Sequence, residues 1–279
     1  MRAFIAGLLV ALLACSAPSA IAAPADKLAP VTLDDINAGM GAAPGLVSQG
    51  GLDCQVSDAR KIGVDDKTQS TFYELACKGA EGFIFGEPAK KSKYAMVIYS
   101  CLEAATSKSA FKFGATCRLP ENADPKAGIA ALIASDHPGC AMTDARGVGH
   151  TDASTVLEVA CQGGAGYVVE ASYPLSLAKP AKFTPCAGLR PDMHTQCALT
   201  DAAAANAYVT SLPARAGKTC AVANHRYVGF GNDGDDYYEV ACAGGGGFML
   251  DVDAAGDVYP TPCPQADYIG GGCKLTKPH

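Results

Sequence analysis

The sequence predicts an α+β, β-rich protein of three tandem repeats, each a short helix plus a four-stranded antiparallel meander stapled by two disulfides. Three observations carry this. The stretch Tyr238-Glu239-Val240-Ala241-Cys242, followed by glycines and Phe248, occurs three times. Its counterparts are Tyr73-Glu74-Leu75-Ala76-Cys77 leading to Gly82-Phe83, and Leu157-Glu158-Val159-Ala160-Cys161 leading to Gly166-Tyr167. Twelve of the 13 cysteines fall in these copies, four to a copy and in one order. Short apolar runs alternate with turn residues throughout.

The register is fixed by the first cysteine of each copy, Cys54, Cys140 and Cys220. Six residues on stand Arg60, Arg146 and Arg226, and nine residues on stand Gly63, Gly149 and Gly229. The motif then closes on Cys77, Cys161 and Cys242. A third cysteine follows (Cys101, Cys186, Cys263) and then a fourth (Cys117, Cys197, Cys273), each fourth one trailed by x-Leu. Leu33, Leu119 and Leu199 each precede their first cysteine by 21 residues. A fixed long period of this kind marks a repeat architecture. The expected units are 31–116, 117–196 and 197–279.

Each unit opens with a helical segment. In the first, Leu33 to Met40 is expected to be short, because Gly39 and Gly41 weaken it. In the second, Asp124 caps and Pro125 takes the first helical position before Lys126 to Ala134, with Ile129, Leu132 and Ile133 on the inner stripe. In the third, Thr200 to Leu212 carries Tyr208, Val209 and Leu212 inward, and Pro213 is expected to end it.

The strands follow. The first runs from the first cysteine to the shared glycine, and the second is the Glu-x-Ala-Cys segment. The turns between them are Asp65-Asp66-Lys67, Thr151-Asp152 and Asn232-Asp233-Gly234-Asp235. This places the first and second cysteines opposite each other across a hairpin. Directly opposed residues have Cα atoms about 4.5–5.5 Å apart, within reach of a disulfide. The expected pairs are Cys54–Cys77, Cys140–Cys161 and Cys220–Cys242, leaving Cys101–Cys117, Cys186–Cys197 and Cys263–Cys273. Strand three follows the glycine turn, and strand four leads to the third cysteine. Units of some 80 residues with few aromatics build marginal cores, and each disulfide offsets that by about 2–4 kcal/mol.

The amino terminus reads as a secretory signal over 1–22. Arg2 is its positive region, Ala3 to Ala14 its apolar stretch, and Ala20-Ile21-Ala22 its cleavage site. A tether spans 23–30. Leu12-Leu13-Ala14-Cys15 resembles the lipobox of bacterial lipoproteins, with Leu13 departing from the favoured residue. Cys15 is therefore either removed with the signal or lipidated. In both cases twelve cysteines remain, an even set that suits an oxidising compartment. The expected location is periplasmic or secreted, or the outer membrane if Cys15 is lipidated. A membrane is then touched only through that anchor. The net charge is −6 with no basic patch, which speaks against nucleic acid as a partner.

The repeated polar residues are the candidates for a site: Arg60 with Glu74, Arg146 with Glu158, and Arg226 with Glu239. The glutamate lies three residues before the second cysteine and faces away from it. The arginine shares the face of the first cysteine on a regular strand, so direct pairing requires a bulge. A role in the fold is expected, since a catalytic cluster is assembled once whereas a structural solution recurs with its unit. The glycine runs precede a strand and not a helix, so they read as hairpin turns and not phosphate cradles. Asn232 to Asp236 lacks calcium-loop spacing. The five histidines share no position and form no zinc motif. No cofactor or metal is expected. The expected function is a non-enzymatic binding or structural module of the bacterial envelope, its ligand unspecified. The competing reading is a secreted enzyme or enzyme inhibitor with its site in a cleft between units.

Overall fold

A computed structural model describes residues 30–106, 116–176, 178–190, 192–193, 195–231 and 234–276. The expected signal, Cys15, all of the tether but Pro30, and the turn residues Asn232 and Asp233 lie outside the described residues.

Helix α1 (Leu33–Gly50) begins at a capping box, in which Thr32 and Asp35 each satisfy the other's backbone N–H. It ends at Gly51 in the left-handed conformation. At 18 residues it is the longest described helix, and the expected end at Met40 is wrong. Gly39 is there for contact: a Cβ would sit 2.4 Å from the Cα of Arg60, so this glycine lets the helix lie directly on the first strand. Packing on that strand overrides the low propensity of Gly39, Gly41 and Pro44.

Strands β1 (Val56–Val64), β2 (Thr71–Cys77), β3 (Phe83–Glu87) and β4 (Val97–Ser100) form an antiparallel meander in chain order. The short helix α2 (Cys101–Thr106) follows. Helix α3 (Ala127–Asp136) opens the second unit. Asp124 accepts from the Lys126 N–H, and Pro125 lies in the turn before the helix, not at its first position. The second meander is β5 (Met142–His150), β6 (Ser154–Cys161), β7 (Gly166–Ser172) and β8 (Lys182–Pro185). Helix α4 (Ala202–Arg215) is capped by Asp201, whose carboxylate accepts from the Ala204 N–H. It runs past Pro213, because a proline near the end removes one N–H but keeps its carbonyl, which accepts from Lys218. The third meander is β9 (Val222–Phe230), β10 (Asp236–Cys242), β11 (Gly247–Val252) and β12 (Val258–Pro262).

Disulfides join Cys54–Cys77, Cys140–Cys161 and Cys220–Cys242 across the open ends of the hairpins, with Cα separations of 5.2, 5.1 and 5.2 Å. Cys101–Cys117, Cys186–Cys197 and Cys263–Cys273 close the loop after each fourth strand.

The described residues from Thr32 onward form one compact body. The second and third units share a core in which Leu132 and Val159 join Val209, Leu212, Tyr238 and Leu250, and Leu102 of the first unit reaches into it. The first unit has its own core of Leu46, Leu75 and Phe85 beneath α1. The first and second units each dock on the following one through the segment that begins at the third cysteine. The α2 helix lies on β5, where the Gly147 N–H donates to Thr106 Oγ1 at 2.7 Å. The turn at Gly188 lies on Tyr227 of β9.

Candidate functional site

The recurrent Arg and Glu meet in every unit. Each first strand carries a bulge before the arginine, and beyond it Arg60, Arg146 and Arg226 stand directly opposite Glu74, Glu158 and Glu239. Nε lies 2.6, 2.5 and 2.5 Å from the carboxylate oxygen. All three glutamates have no exposed surface.

Sequence reasoning did not find what these pairs grip. Each arginine donates through Nη2 to the carbonyl just before the fourth cysteine: Thr116 at 2.8 Å, Gln196 at 3.1 Å and Gly272 at 3.1 Å. Each glutamate accepts from N–H groups just after it. Arg118 and Leu119 donate to Glu74, Ala198 and Leu199 to Glu158, and Leu275 to Glu239, at 2.6–2.8 Å. The pair is thus a clasp that straps the chain around the fourth cysteine across the sheet face opposite the helix. Every oxygen of the buried carboxylate has a donor, as a buried charge requires. Burial alone would raise the Glu239 carboxyl. The N–H groups of Lys274 and Leu275 and the Arg226 guanidinium outweigh it and hold the group below its ordinary value. The recurrent glycine at the start of the third strand makes room for the strap. A Cβ on Gly82 would meet Asn122 at 2.0 Å, and one on Gly166 would meet Thr200 at 2.0 Å.

Each clasp glutamate also lies within 4.8 Å of the two sulfurs of the neighbouring disulfide. Those sulfurs are bonded to each other and offer no thiolate to a metal.

Two further polar clusters sit at the junctions between units. Between the first and second, His150 Nδ1 lies 3.0 Å from both carboxylate oxygens of Glu103, and its ring stacks on Tyr173 at 4.3 Å. Nearby, Glu81 is buried, and burial pushes its carboxyl up to about 8 against the pull of Ser100 and the Leu102 N–H. Between the second and third, a cleft of about 220 Å³ is lined by His137, Tyr167, Tyr208, Ser211 and Arg215. Burial holds both tyrosine hydroxyls above their ordinary value and His137 below its own. The Ser211 hydroxyl donates to the Tyr208 carbonyl at 2.7 Å and meets no base. Among the described residues, this cleft therefore holds no nucleophile paired with a base.

A further cleft lies elsewhere, on the third unit. It encloses about 580 Å³ on the strap side of the β9–β12 sheet, and Phe230, Tyr237, Asp251, Tyr259, Tyr268 and Ile269 line it. Phe230, Tyr259 and Tyr268 are 54, 54 and 80 % exposed and line the same cleft, and an exposed apolar patch of this kind is a mark of interaction sites. None of these residues belongs to the repeated motif. A signal was present: Tyr237 stands two residues before the repeated Glu239, where the other units have Phe72 and Val156.

Fold and site together define a disulfide-stapled, three-unit α+β protein with one aromatic cleft on its last unit. The chain matches no protein-family model and no curated protein.

Proposed function

We propose that this is an exported, non-enzymatic binding protein whose ligand seat is the aromatic cleft of the third unit. One observation carries the reading. The polar residues that recur three times are consumed in internal clasps, whereas the exposed aromatics Phe230, Tyr259 and Tyr268 gather in a concave site with a few polar groups, the usual make-up of a small-ligand pocket. Six disulfides suit an oxidising, extracytoplasmic compartment. Among the described residues no helix is long and apolar enough to cross a membrane. The bacterial periplasm or outer surface is the proposed setting, with the chain released after Ala22 or held by a lipid on Cys15.

The test is a chemical-shift titration of the full protein with glucose, choline and acetate as model neutral, cationic and anionic compounds. Saturable shifts at Tyr237, Asp251, Tyr259 and Tyr268 are the expected result. Shifts confined to His137, Tyr208 and Arg215, with turnover of a probe, would replace this reading with an enzyme working between units.

A further inference from the structure

The cleft between the second and third units is a preformed seat. His137 and Tyr167 come to it from the second unit, and Tyr208, Ser211 and Arg215 from the third. The Cys140–Cys161 disulfide anchors the second-unit wall, where the adjacent residues Gly139 and Gln162 line the cleft. The turn at Gly256 closes the other side. The Gly139 N–H donates to the Ala254 carbonyl at 2.8 Å, and a Cβ on Gly139 would lie 2.5 Å from the carbonyl carbon of Ala255. The His137 ring stacks on Phe183 at 4.9 Å. A pocket fixed in this way loses little to ordering when a ligand enters.

Its polar groups are mostly donors. Among the described residues that line it, Arg215 carries a fixed positive charge and none is acidic. Nor is that cation a feature of the repeat: α1 and α3 have no basic residue in their last turn, whereas α4 ends on Arg215. The guanidinium carbon lies 5.7 Å from the centre of the Tyr208 ring, and Nη2 donates to the Gly256 carbonyl. Burial raises the Tyr208 hydroxyl, while the Arg215 charge and hydrogen bonds from Arg215 and Tyr167 pull the other way. A hydroxyl oxygen that accepts twice is left with its own O–H to donate, and a guanidinium has more N–H groups than Gly256 and Tyr208 use. Two acids act from outside the lining, each second to burial: Asp253 on His137, and Asp236 on the tyrosine hydroxyls. Burial pushes the Asp236 carboxyl itself up to about 7, against the hydrogen bond from Tyr227.

From this lining of donors around a single guanidinium, we infer that the cleft seats the carboxylate of a small organic acid. A carboxylate offers two coplanar oxygens, one for the Arg215 N–H groups and one for the Tyr208 O–H, and hydrogen bonds to an ionised acceptor are the strong ones. Its single charge matches the single cation. A phosphate dianion would bring a second charge into a site with no second cation to meet it. The rings of His137 and Tyr167 and the side chain of Ala165 give the carbon chain an apolar wall, and a volume of about 220 Å³ restricts it to a short one.

This seat is separate from the aromatic cleft of the third unit, and shifts at Tyr259 and Tyr268 report on that cleft independently. The full protein is titrated at constant ionic strength with acetate, with its uncharged isostere acetamide and with inorganic phosphate, reading amide shifts at Gly139, Gly163, Tyr208 and Arg215. Acetate is expected to saturate these shifts at a concentration roughly tenfold or more below acetamide. Arg215→Gln should weaken acetate binding by roughly tenfold, and Tyr208→Phe, which keeps the ring, should weaken it several-fold, with the amide shifts of the first unit unmoved in both. Arg215→Lys, which restores the charge, should recover part of the affinity. Acetamide binding as tightly as acetate overturns the charge assignment, and phosphate binding more tightly than acetate overturns the carboxylate. Acetate affinity unchanged in both Arg215→Gln and Tyr208→Phe, or no saturable shift at these residues with any of the three compounds, overturns the site.

Discussion

A glutamate with no exposed surface is tolerated at position 158 because both of its oxygens have donors: Arg146 on one side, the Ala198 and Leu199 N–H groups on the other. Glu158→Gln keeps the shape but turns one acceptor into a donor that faces donors. It is expected to lower unfolding free energy by about 1–3 kcal/mol in urea titration. The same chemistry sets an acid limit. The folded Glu239 carboxyl titrates below its ordinary value of 4.5. The stability it gives is complete above that value and is lost as pH falls through the folded pKa. The unfolding midpoint should therefore drop as pH is lowered below 4.5, and Glu239→Gln should blunt that drop. A midpoint in the parent that is flat from pH 5 to 3 would show that the clasp carboxylate does not contribute. The recurrence of Arg and Glu was legible in the sequence, and so was the need for a bulge. What they hold was not, because the strap reaches Glu74 from 44 residues away and no local pattern encodes that contact.

At the scale of elements, α1 shows how packing overrules propensity. Gly39 and Gly41 look alike in sequence, and both argue for a short helix. In space they differ. Gly39 lies on the backbone of Arg60, whereas a Cβ on Gly41 would meet nothing within 4 Å. Gly41→Ala is expected to stabilise the protein by roughly 0.5–1 kcal/mol through helix propensity. Gly39→Ala should destabilise it, because helix and strand must move apart. Equal midpoints for the two variants by thermal denaturation would sink this account. The meanders were readable for the opposite reason: their turns are local and their cysteines mark the hairpin ends. The helix limits were less readable, since Pro213 and Gly39 act through what lies next to them in space. The aromatic cleft was not legible in the repeat because its residues are those in which the third unit departs from the other two.

Across the whole molecule, the core shared by the second and third units also takes in Leu102 of the first, and Glu81 is buried at the first junction. Its neighbours are the Ser100 hydroxyl, the Leu102 N–H and Glu103, which itself faces His150. One oxygen of Glu81 is buried without a hydrogen-bond partner. Burial and the adjacent Glu103 favour the neutral acid, and the folded pKa of about 8 lies far above the ordinary value of 4.5. Between those two values the folded chain binds a proton that the unfolded chain has lost. Stability therefore falls as pH rises through that window, opposite in sign to the acid limit set by the clasps. The protein should be most stable near pH 5 and measurably weaker at pH 8.5. Glu81→Gln removes the proton linkage while keeping the shape. It is expected to match the parent at pH 5, to exceed its unfolding midpoint at pH 8.5, and to flatten the profile between. Because α3 rests on the Glu81 backbone at Gly128 and Leu102 enters the core of the following units, the gain should appear as a shift of one transition and not as the splitting off of the first unit. Calorimetry at the two pH values checks both claims. An unchanged difference between pH 5 and 8.5 in the variant would remove Glu81 as the source of the alkaline loss.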